Sequence, residues 1–447
     1  MSVFNKKVAI VGSGVSGLSV AYFLRDKVEV TLYEKQDYFG GHANTVDVAL
    51  ETTKNIIETY GVDTGFLVFN ERTYPGLIQM FEEMNVKTFP SDMSFSVQAK
   101  VDWLSRKLEW SGSNLNSVFA QRKNIFSFKF WLLLKEIIRF NELTTNYVQN
   151  FSSSNLDQNY SLNLKEYLKN NKFGKIFQEG YLLPMLGCIW SCEPETMLEF
   201  PAISLARFCH NHGLLQVQNR PQWFTVEGGS KNYVKKITDQ IVDKRLNCEV
   251  VKIERFQKDG NEKVRVYTET RFEEFDAVVL ATHAPQAIRV LGDPSIKELE
   301  ILECIKTKQN EAILHMDQSI MPSKKIAWAA WNFENLHVSD QSRDTGVCLH
   351  YWINKLQPLP FKENLFVTLN QRRHIDESKI LKRIQYAHPV LDEKAVRAQA
   401  KMAEINGHKK TWFAGAWMGY GFHEDGLQAG KLAANKIIKD LNLGVLV

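Results

Sequence analysis

The chain has 447 residues, 44% hydrophobic and 24% charged, with a formal net charge of +4. That length exceeds one simple core and predicts two domains or one interleaved pair. The nearly balanced charge, without blocks of like sign, argues against nucleic acid as a partner. No run of about 18 apolar residues occurs, which argues against a bilayer-spanning helix.

Met1 is followed by a charged cap and then "VAIVGSG", which reads as a first strand and not a secretory leader. Residues 8–11 are the apolar strand, and Gly12-Ser13-Gly14-Val15-Ser16-Gly17 follows at once. A helix is predicted over 18–24, and a second strand over 28–33 ends in Glu34. In this order each glycine has a physical task. Gly12 permits a tight turn, Gly14 lets backbone approach a pyrophosphate, and Gly17 lets helix and strand pack closely. The helix N-terminus offers free N–H groups to phosphate, and Glu34 can accept hydrogen bonds from ribose hydroxyls. Gly40-Gly41 supplies a second stretch of bare backbone. Only one complete fingerprint of this kind occurs, which favours FAD over a nicotinamide as the resident cofactor. The acid at 34 disfavours a 2′-phosphate.

Residues 124–147, "NIFSFKFWLLLKEIIRFNELTTNY", carry a bulky apolar stripe with Lys129, Lys135 and Arg139 beside it. Two readings stand: a core or domain-interface helix, or a helix lying on a membrane surface. The region 111–212 reads as helix-rich. Cys188, Cys192, Cys209, Cys248, Cys304 and Cys348 form no C-x-x-C pairs, so reduced, buried thiols in a cytoplasmic protein are expected. His210 and His212 lack a third convergent ligand, so no metal is expected.

Residues 224–237 join a strand to a helix through Gly228-Gly229-Ser230, and 276–281 read as a buried strand of a parallel sheet. An antiparallel set of strands is expected over 310–369. A short buried strand within 409–417 leads into "AWMGYGFHEDGLQAG" and a last helix starting near Gly426. The His423-Glu424-Asp425 run has the look of an acid–base group. It also fits the start of that helix, with Asp425 of a residue type that caps.

These phrases carry a resemblance. "EKQDYFGGHANT", "VDTGFLVFNERTYPGL", "SDMSFSV", "PMLGCIWSCEP", "FCHNHGLLQVQNRPQWFTVEGGSKNYV", "ATHAPQA", "YWINKLQ" and "WFAGAWMGYGFHEDGLQAG" span residues 8–430 with the glycine loop. The chain resembles the FAD-dependent flavin amine oxidase superfamily, which includes monoamine oxidases, protoporphyrinogen oxidase, carotenoid desaturases and polyenoic fatty acid isomerase. Within it, the phrases resemble the predicted NAD/FAD-binding bacterial oxidoreductases often encoded beside cyclopropane fatty acid synthase. The resemblance implies an α/β fold in which a Rossmann-like FAD-binding domain is interleaved with an α+β substrate domain. Residues 1–75, 218–290 and 405–447 would form the first, and 76–217 with 291–404 the second.

It also implies a cofactor site of Gly12, Ser13, Gly14, Val15, Ser16, Gly17, Glu34, Lys35, Gly40, Gly41, His42, Asn44, Thr45, Gly65, Phe66, Val250, Ala281, Thr282, Gly415, Ala416, Gly421, Phe422, His423, Gly426 and Leu427. Two departures matter. No Ser-Gly-Gly-Cys-Tyr phrase is present, so FAD is expected to bind non-covalently. The strand end reads Ala414-Gly415-Ala416-Trp417 without the acid seen in monoamine oxidases, which suggests a more apolar setting. His423, Tyr420 and Trp190 are the candidate catalytic residues. The expected activity is hydride removal from a hydrophobic substrate, a lipid or fatty acyl chain in a desaturase-like reaction. A flavin amine oxidase and a redox-neutral fatty acid isomerase are the alternatives. Peripheral contact with an inner membrane through 124–147 and a lipid-modifying enzyme partner complete the expectations.

Overall fold

The structure is a computed structural model that describes residues 4–151, 162–190, 194–216, 219–335 and 347–443. The strand Lys7–Val11 is buried along its last four residues and lies at the centre of a five-stranded sheet. The order across that sheet is Asp243–Arg245, Glu29–Tyr33, Lys7–Val11, Ala277–Leu280, Thr411–Phe413, and every pairing is parallel. Short apolar runs such as Ala277–Leu280 suit this position because both faces of a parallel sheet are covered. On one face the helix Val15–Leu24 packs against the C-terminal helix His423–Asp440.

A second sheet has seven strands, in the order Ile380–Val390, Lys306–His315, Phe366–Leu369, Cys348–Trp352, Trp331–Asn335, Phe95–Ala99, Leu108–Ser111. All pairings are antiparallel except Trp331–Asn335 with Phe95–Ala99. Its interior is unusually polar. Glu334 accepts from Gln98 Nε2 at 3.0 Å and Arg373 Nε at 2.7 Å, and lies 3.4 Å from His350 Nε2. Burial alone would depress His350; Cys348 and Glu334 beside it raise it to about 9 instead. Glu334, Cys348 and His350 are the one convergent trio of metal-type ligands among the described residues. The Arg373 guanidinium also pairs with that carboxylate, so the trio is part of a buried charge network.

Between the sheets, Trp223–Val226 pairs with both Phe69–Asn70 and Thr88–Ser91. The helices of 115–212 form a layer beside the seven-stranded sheet.

Several elements differ from the sequence expectation. The first helix begins at Val15, directly on the glycine loop. The stripe over 124–147 is split into a 3₁₀ helix Arg122–Phe126 and an α-helix Phe128–Gln149. The break falls at Ser127, whose hydroxyl caps the Phe130 N–H. The strand expected within 409–417 is only Thr411–Phe413, because Lys409 and Lys410 take positive φ just before it. Cys188, Cys209 and Cys348 are buried as expected; Cys248 and Cys304 are partly exposed. Cys192 lies outside the described residues.

The last helix starts at His423, three residues before the expected start near Gly426. Its cap position is Phe422, and Asp425 is not the cap residue but the third helical position, its carboxylate accepting the Phe422 N–H at 2.9 Å.

A Cβ at position 17 would lie 1.9 Å from the Gly12 carbonyl oxygen, whereas one at position 14 would meet nothing within 4 Å. Gly17→Ala is therefore expected to lower unfolding stability by about 1–3 kcal/mol or prevent folding. Gly14→Ala should leave it level or slightly raised. Urea denaturation of the two variants against the wild type checks the contrast.

Candidate functional site

One large cavity, about 620 Å³, runs from the glycine loop to the helical layer. At its first end lie Gly12, Ser13, Gly14, Val15 and Ser16, at the carboxyl end of the central strand. Gly12 sits at φ +99, and its N–H bonds the Tyr33 carbonyl at 2.8 Å, which folds the loop tightly over the strand ends. Glu34 joins them from the neighbouring strand. Its Oε2 accepts from Ser13 N at 3.0 Å and Ser13 Oγ at 2.6 Å, and its Oε1 accepts from Gln36 N at 2.9 Å. Lys35, Val250, Ala281, Thr282 and Arg289 complete this end.

The middle of the wall comes from two loops. A Cβ on Gly41 would lie 3.0 Å from the Gly14 Cα, so the two glycines face each other closely, and His42 follows. The Phe66 N–H bonds the His42 carbonyl at 2.7 Å, which fixes Gly65 and Phe66 beside it. The His42 ring stacks on Tyr386 at 4.8 Å, and His388 lies 5.2 Å from it. His283 approaches His42 edge-on at 6.2 Å.

The far end is aromatic. Phe208 stacks on Phe422 at 4.8 Å and lies 4.6 Å from Trp190 and 5.7 Å from Tyr420. Trp331 and Tyr351 meet edge-on at 4.8 Å. Trp190 Nε1 donates to the Tyr420 carbonyl at 3.2 Å. Gly415, Ala416, Gly421 and His423 line the wall between these rings and the middle.

The three candidate catalytic residues thus converge on one cavity. Nineteen of the twenty-five expected cofactor residues also line it, and the other six stand behind it. Gly17, Gly40, Gly426 and Leu427 are packing positions: a Cβ on Gly40 would lie 2.4 Å from the Ala43 carbonyl oxygen, and one on Gly426 2.6 Å from Val15 Cγ1. Leu427 is fully buried. Thr45 Oγ1 donates to buried Asp63 at 2.6 Å, and the Asn44 carbonyl accepts from Thr64. Tyr386, His388, Gln385, Gln286 and Arg289 also line the cavity and were not among the expected residues. The "ATHAPQA" phrase points to Gln286. The strand Ile380–Val390 has no local signal that could reveal its part.

The His-Glu-Asp run separates in space. His423 stacks on Phe66 at 3.6 Å. Glu424 turns outward and accepts the Gly76 and Leu77 N–H groups, both at 2.9 Å, capping the helix Pro75–Glu83. Asp425 closes the cap of its own helix, and burial pushes it up to about 6. Burial lowers His423 to about 3 and His388 to about 4, and it holds His42 and His283 below the usual imidazole range. These four rings are therefore neutral at neutral pH. Trp417 replaces the expected acid at its strand end; it is buried, and its Nε1 donates to the Thr282 carbonyl at 2.9 Å. His212 stacks on Phe208 at 3.8 Å and is lowered by burial to about 4.

A glycine loop at the carboxyl edge of a parallel sheet, opening into a cavity shared with a second sheet, defines a dinucleotide-dependent oxidoreductase class. Residues 15–349 match the flavin containing amine oxidoreductase family, and the chain belongs to that family. It is an FAD-dependent oxidoreductase. Solved structures with the same fold include a CLA-producing fatty acid isomerase from P. acnes, with 14% identity, a TM-score of 0.64, and 97% of this chain and 98% of that one covered. Cyclohexylamine oxidase from Brevibacterium oxydans IH-35A gives 15% identity, a TM-score of 0.66 and coverage of 98% and 99%. A putative protoporphyrinogen oxidase from Exiguobacterium sp. 255-15 gives 15%, 0.64, and coverage of 98% and 100%. No curated protein matches the sequence.

A histidine lowered in the fold stays neutral while the unfolded chain takes up a proton. Its stabilising share is complete above pH 6.5 and is lost as pH falls from 6.5 toward about 3 for His423. His423→Phe keeps a ring against Phe66 and removes the titration. Its unfolding free energy is expected to fall less steeply in that window, by up to ~1.4 kcal/mol per pH unit. Urea titrations at several pH values measure this.

Proposed function

We propose that this enzyme binds FAD non-covalently along the cavity and oxidises a hydrophobic substrate, a lipid or fatty acyl chain, at its aromatic end. The observation that carries the substrate reading is the distribution of charge on the wall. Its carboxylates among the described residues are Glu34 and Glu249, and its cations are Lys35 and Arg289. Glu34, Lys35 and Arg289 sit at the glycine-loop end, and Glu249 is next to its Val250. Phe208, Phe422, Trp190, Tyr420, Trp331 and Tyr351 present no carboxylate to hold an ammonium group. Such a surface favours apolar chains through burial of their area.

The fit to FAD rests on open space over Gly14, on the bare backbone of Gly12 and Gly41, and on the N–H groups of the helix Val15–Leu24. In this reading residues 12–16 and Gly41 hold the diphosphate, Glu34 the ribose, and residues 415–423 the flavin end. The wall cysteine among the described residues is Cys248, whose N–H bonds the Glu34 carbonyl at 2.9 Å, far from the aromatic end. That placement supports non-covalent binding. We assign residues 1–75, 218–290 and 405–447 to the FAD-binding domain because all five strands of the parallel sheet come from them. The seven-stranded sheet comes from 76–217 and 291–404, the substrate domain.

FAD, when bound, supplies two-electron oxidation of the substrate. The chain supplies position and dryness. The aromatic rings exclude water and align an apolar chain. The neutral ring of His423, stacked on Phe66, fixes the wall without carrying charge. Glu424 and Asp425 are committed to helix caps and are not assigned acid–base work.

A second reading, an amine oxidase, is favoured by the family itself and by the fold shared with cyclohexylamine oxidase. A redox-neutral fatty acid isomerase is the third, supported by the fold shared with the P. acnes enzyme.

Anaerobic mixing of the flavoprotein with unsaturated fatty acids, acyl lipids and primary amines separates the three. Bleaching of the flavin by acyl chains and by no amine is the expected result. Bleaching by amines alone would replace the lipid reading, and a rearranged fatty acid without oxidant use would identify the isomerase.

Gly14→Ala is expected to fold normally and lose FAD affinity at least about tenfold, because its methyl occupies the space over the loop. Equilibrium dialysis with free FAD measures it. His423→Ala should also release FAD more readily. Full FAD retention with abolished turnover would instead give His423 a catalytic role.

A further inference from the structure

The exposed aromatic side chains are concentrated in one place. Phe126 is 90% exposed, Phe128 81% and Trp131 50%, and they are three of the five exposed large aromatics among the described residues. Leu115 and Ile125 are exposed in the same stretch. The pieces adjoin. Phe119, at the end of the helix Leu115–Val118, lies 5.4 Å from the Trp131 ring. The turn Lys325–Ala327, with exposed Ile326 beside Lys324 and Lys325, packs on that same helix.

The core does not need these side chains. The helix Phe128–Gln149 buries its opposite face through Phe130, Leu133 and Phe140. Trp131 satisfies its own indole, with Nε1 donating to the Ile125 carbonyl at 2.8 Å, so the ring can enter an apolar medium without losing a hydrogen bond.

Charge along the patch's own stretch of chain has one sign. No Asp or Glu occurs between Glu109 and Glu136, while Arg122, Lys123, Lys129 and Lys135 all fall in that interval and are exposed. Glu109 is buried and bound to Ser323 and Lys107. Glu136 pairs with Arg139. Asp102 is the nearby exposed acid, on the loop whose Trp103 carbonyl takes Lys129 Nζ at 3.0 Å, and Lys100 is on that loop too. Protruding aromatics ringed by cations suit an anionic interface: the rings enter the boundary between headgroups and acyl chains, and the cations stay with the phosphates.

We infer that Leu115, Ile125, Phe126, Phe128 and Trp131, with the cations around them, dock the enzyme on the surface of an anionic lipid bilayer. No helix among the described residues is long and apolar enough to cross a membrane, so the contact is interfacial. The inference is independent of what the cavity oxidises.

The full flavoprotein is sedimented with vesicles of phosphatidylcholine alone and with about one third phosphatidylglycerol. Binding to the anionic vesicles that weakens as salt rises is expected, with little to the neutral ones. The double variant Phe126→Asp, Phe128→Asp should lose at least about tenfold in vesicle affinity. Its flavin spectrum and thermal unfolding should match the wild type, since both residues are exposed. Absence of binding by the wild type at low salt, or equal binding by the double variant, overturns the inference. So does a wild-type dimer that the double variant dissolves without any vesicle binding, which would make the patch a contact between two copies.

Discussion

Backbone contact between the two ends of the chain is the constraint on which the cavity depends. Gly17 lies so close to Gly12 that a methyl would sit inside the carbonyl, and this sets the first helix against its strand. The same helix meets the C-terminal helix at a second glycine seam. A Cβ on Gly430 would lie 2.5 Å from the Ser16 carbonyl oxygen, and one on Gly426 2.6 Å from Val15 Cγ1. Residues some four hundred positions apart are thereby held at bare-backbone distance, closer than side chains allow. The glycine loop and the turn 415–423 become opposite sides of one opening only because of that seam.

Buried polar anchors then fix the second sheet to this frame. Asp63 accepts the Ser230 N–H at 2.9 Å, the Ser230 hydroxyl at 2.7 Å and the Thr45 hydroxyl at 2.6 Å. It also takes Gln357 Nε2 at 3.1 Å, from the segment that follows the strand Cys348–Trp352. Burial pushes Asp63 up to about 6 in spite of these donors, so the anchor is bought at an electrostatic cost. Glu424 works alike at the surface of the frame, tying the last helix to the start of Pro75–Glu83. Both carboxylates serve geometry, and both stand close enough to the cavity to be mistaken for chemistry.

How much of this could be read from the sequence follows from the range of each interaction. The glycine loop, its helix and Glu34 were legible because turn, close approach and acid are fixed within about thirty residues. The buried parallel strands were legible from their apolar runs. The start of the last helix differs from the expectation because phenylalanine is not a capping residue type; the Asp425 carboxylate closes the cap by accepting the Phe422 N–H. Tyr386 and His388 were missed because their place depends on pairing Ile380–Val390 with Lys306–His315, a register that no local pattern encodes. The run His423-Glu424-Asp425 separates in space, and of the three only His423 lines the cavity. Consecutive residues on a helix point about 100° apart, so they cannot share one target.

The electrostatic character of the cavity follows from the same packing. Five imidazoles line it, and each is held neutral by burial, which removes the water that would solvate the charged form. His42 Nε2 and His423 Nε2 are left buried without a protein partner. Unpartnered nitrogens of this kind are costly in an apolar wall unless a ligand meets them. Their cost is concentrated between the glycine loop and the aromatic rings, the stretch along which the proposed function lays FAD. The wall is thus charged at the glycine-loop end, polar but neutral in the middle, and aromatic beyond. The proposed function follows that gradient: it sets the charged end of an asymmetric cofactor at the glycine loop and leaves the aromatic end to an apolar chain, the ligand such a surface takes at least desolvation cost.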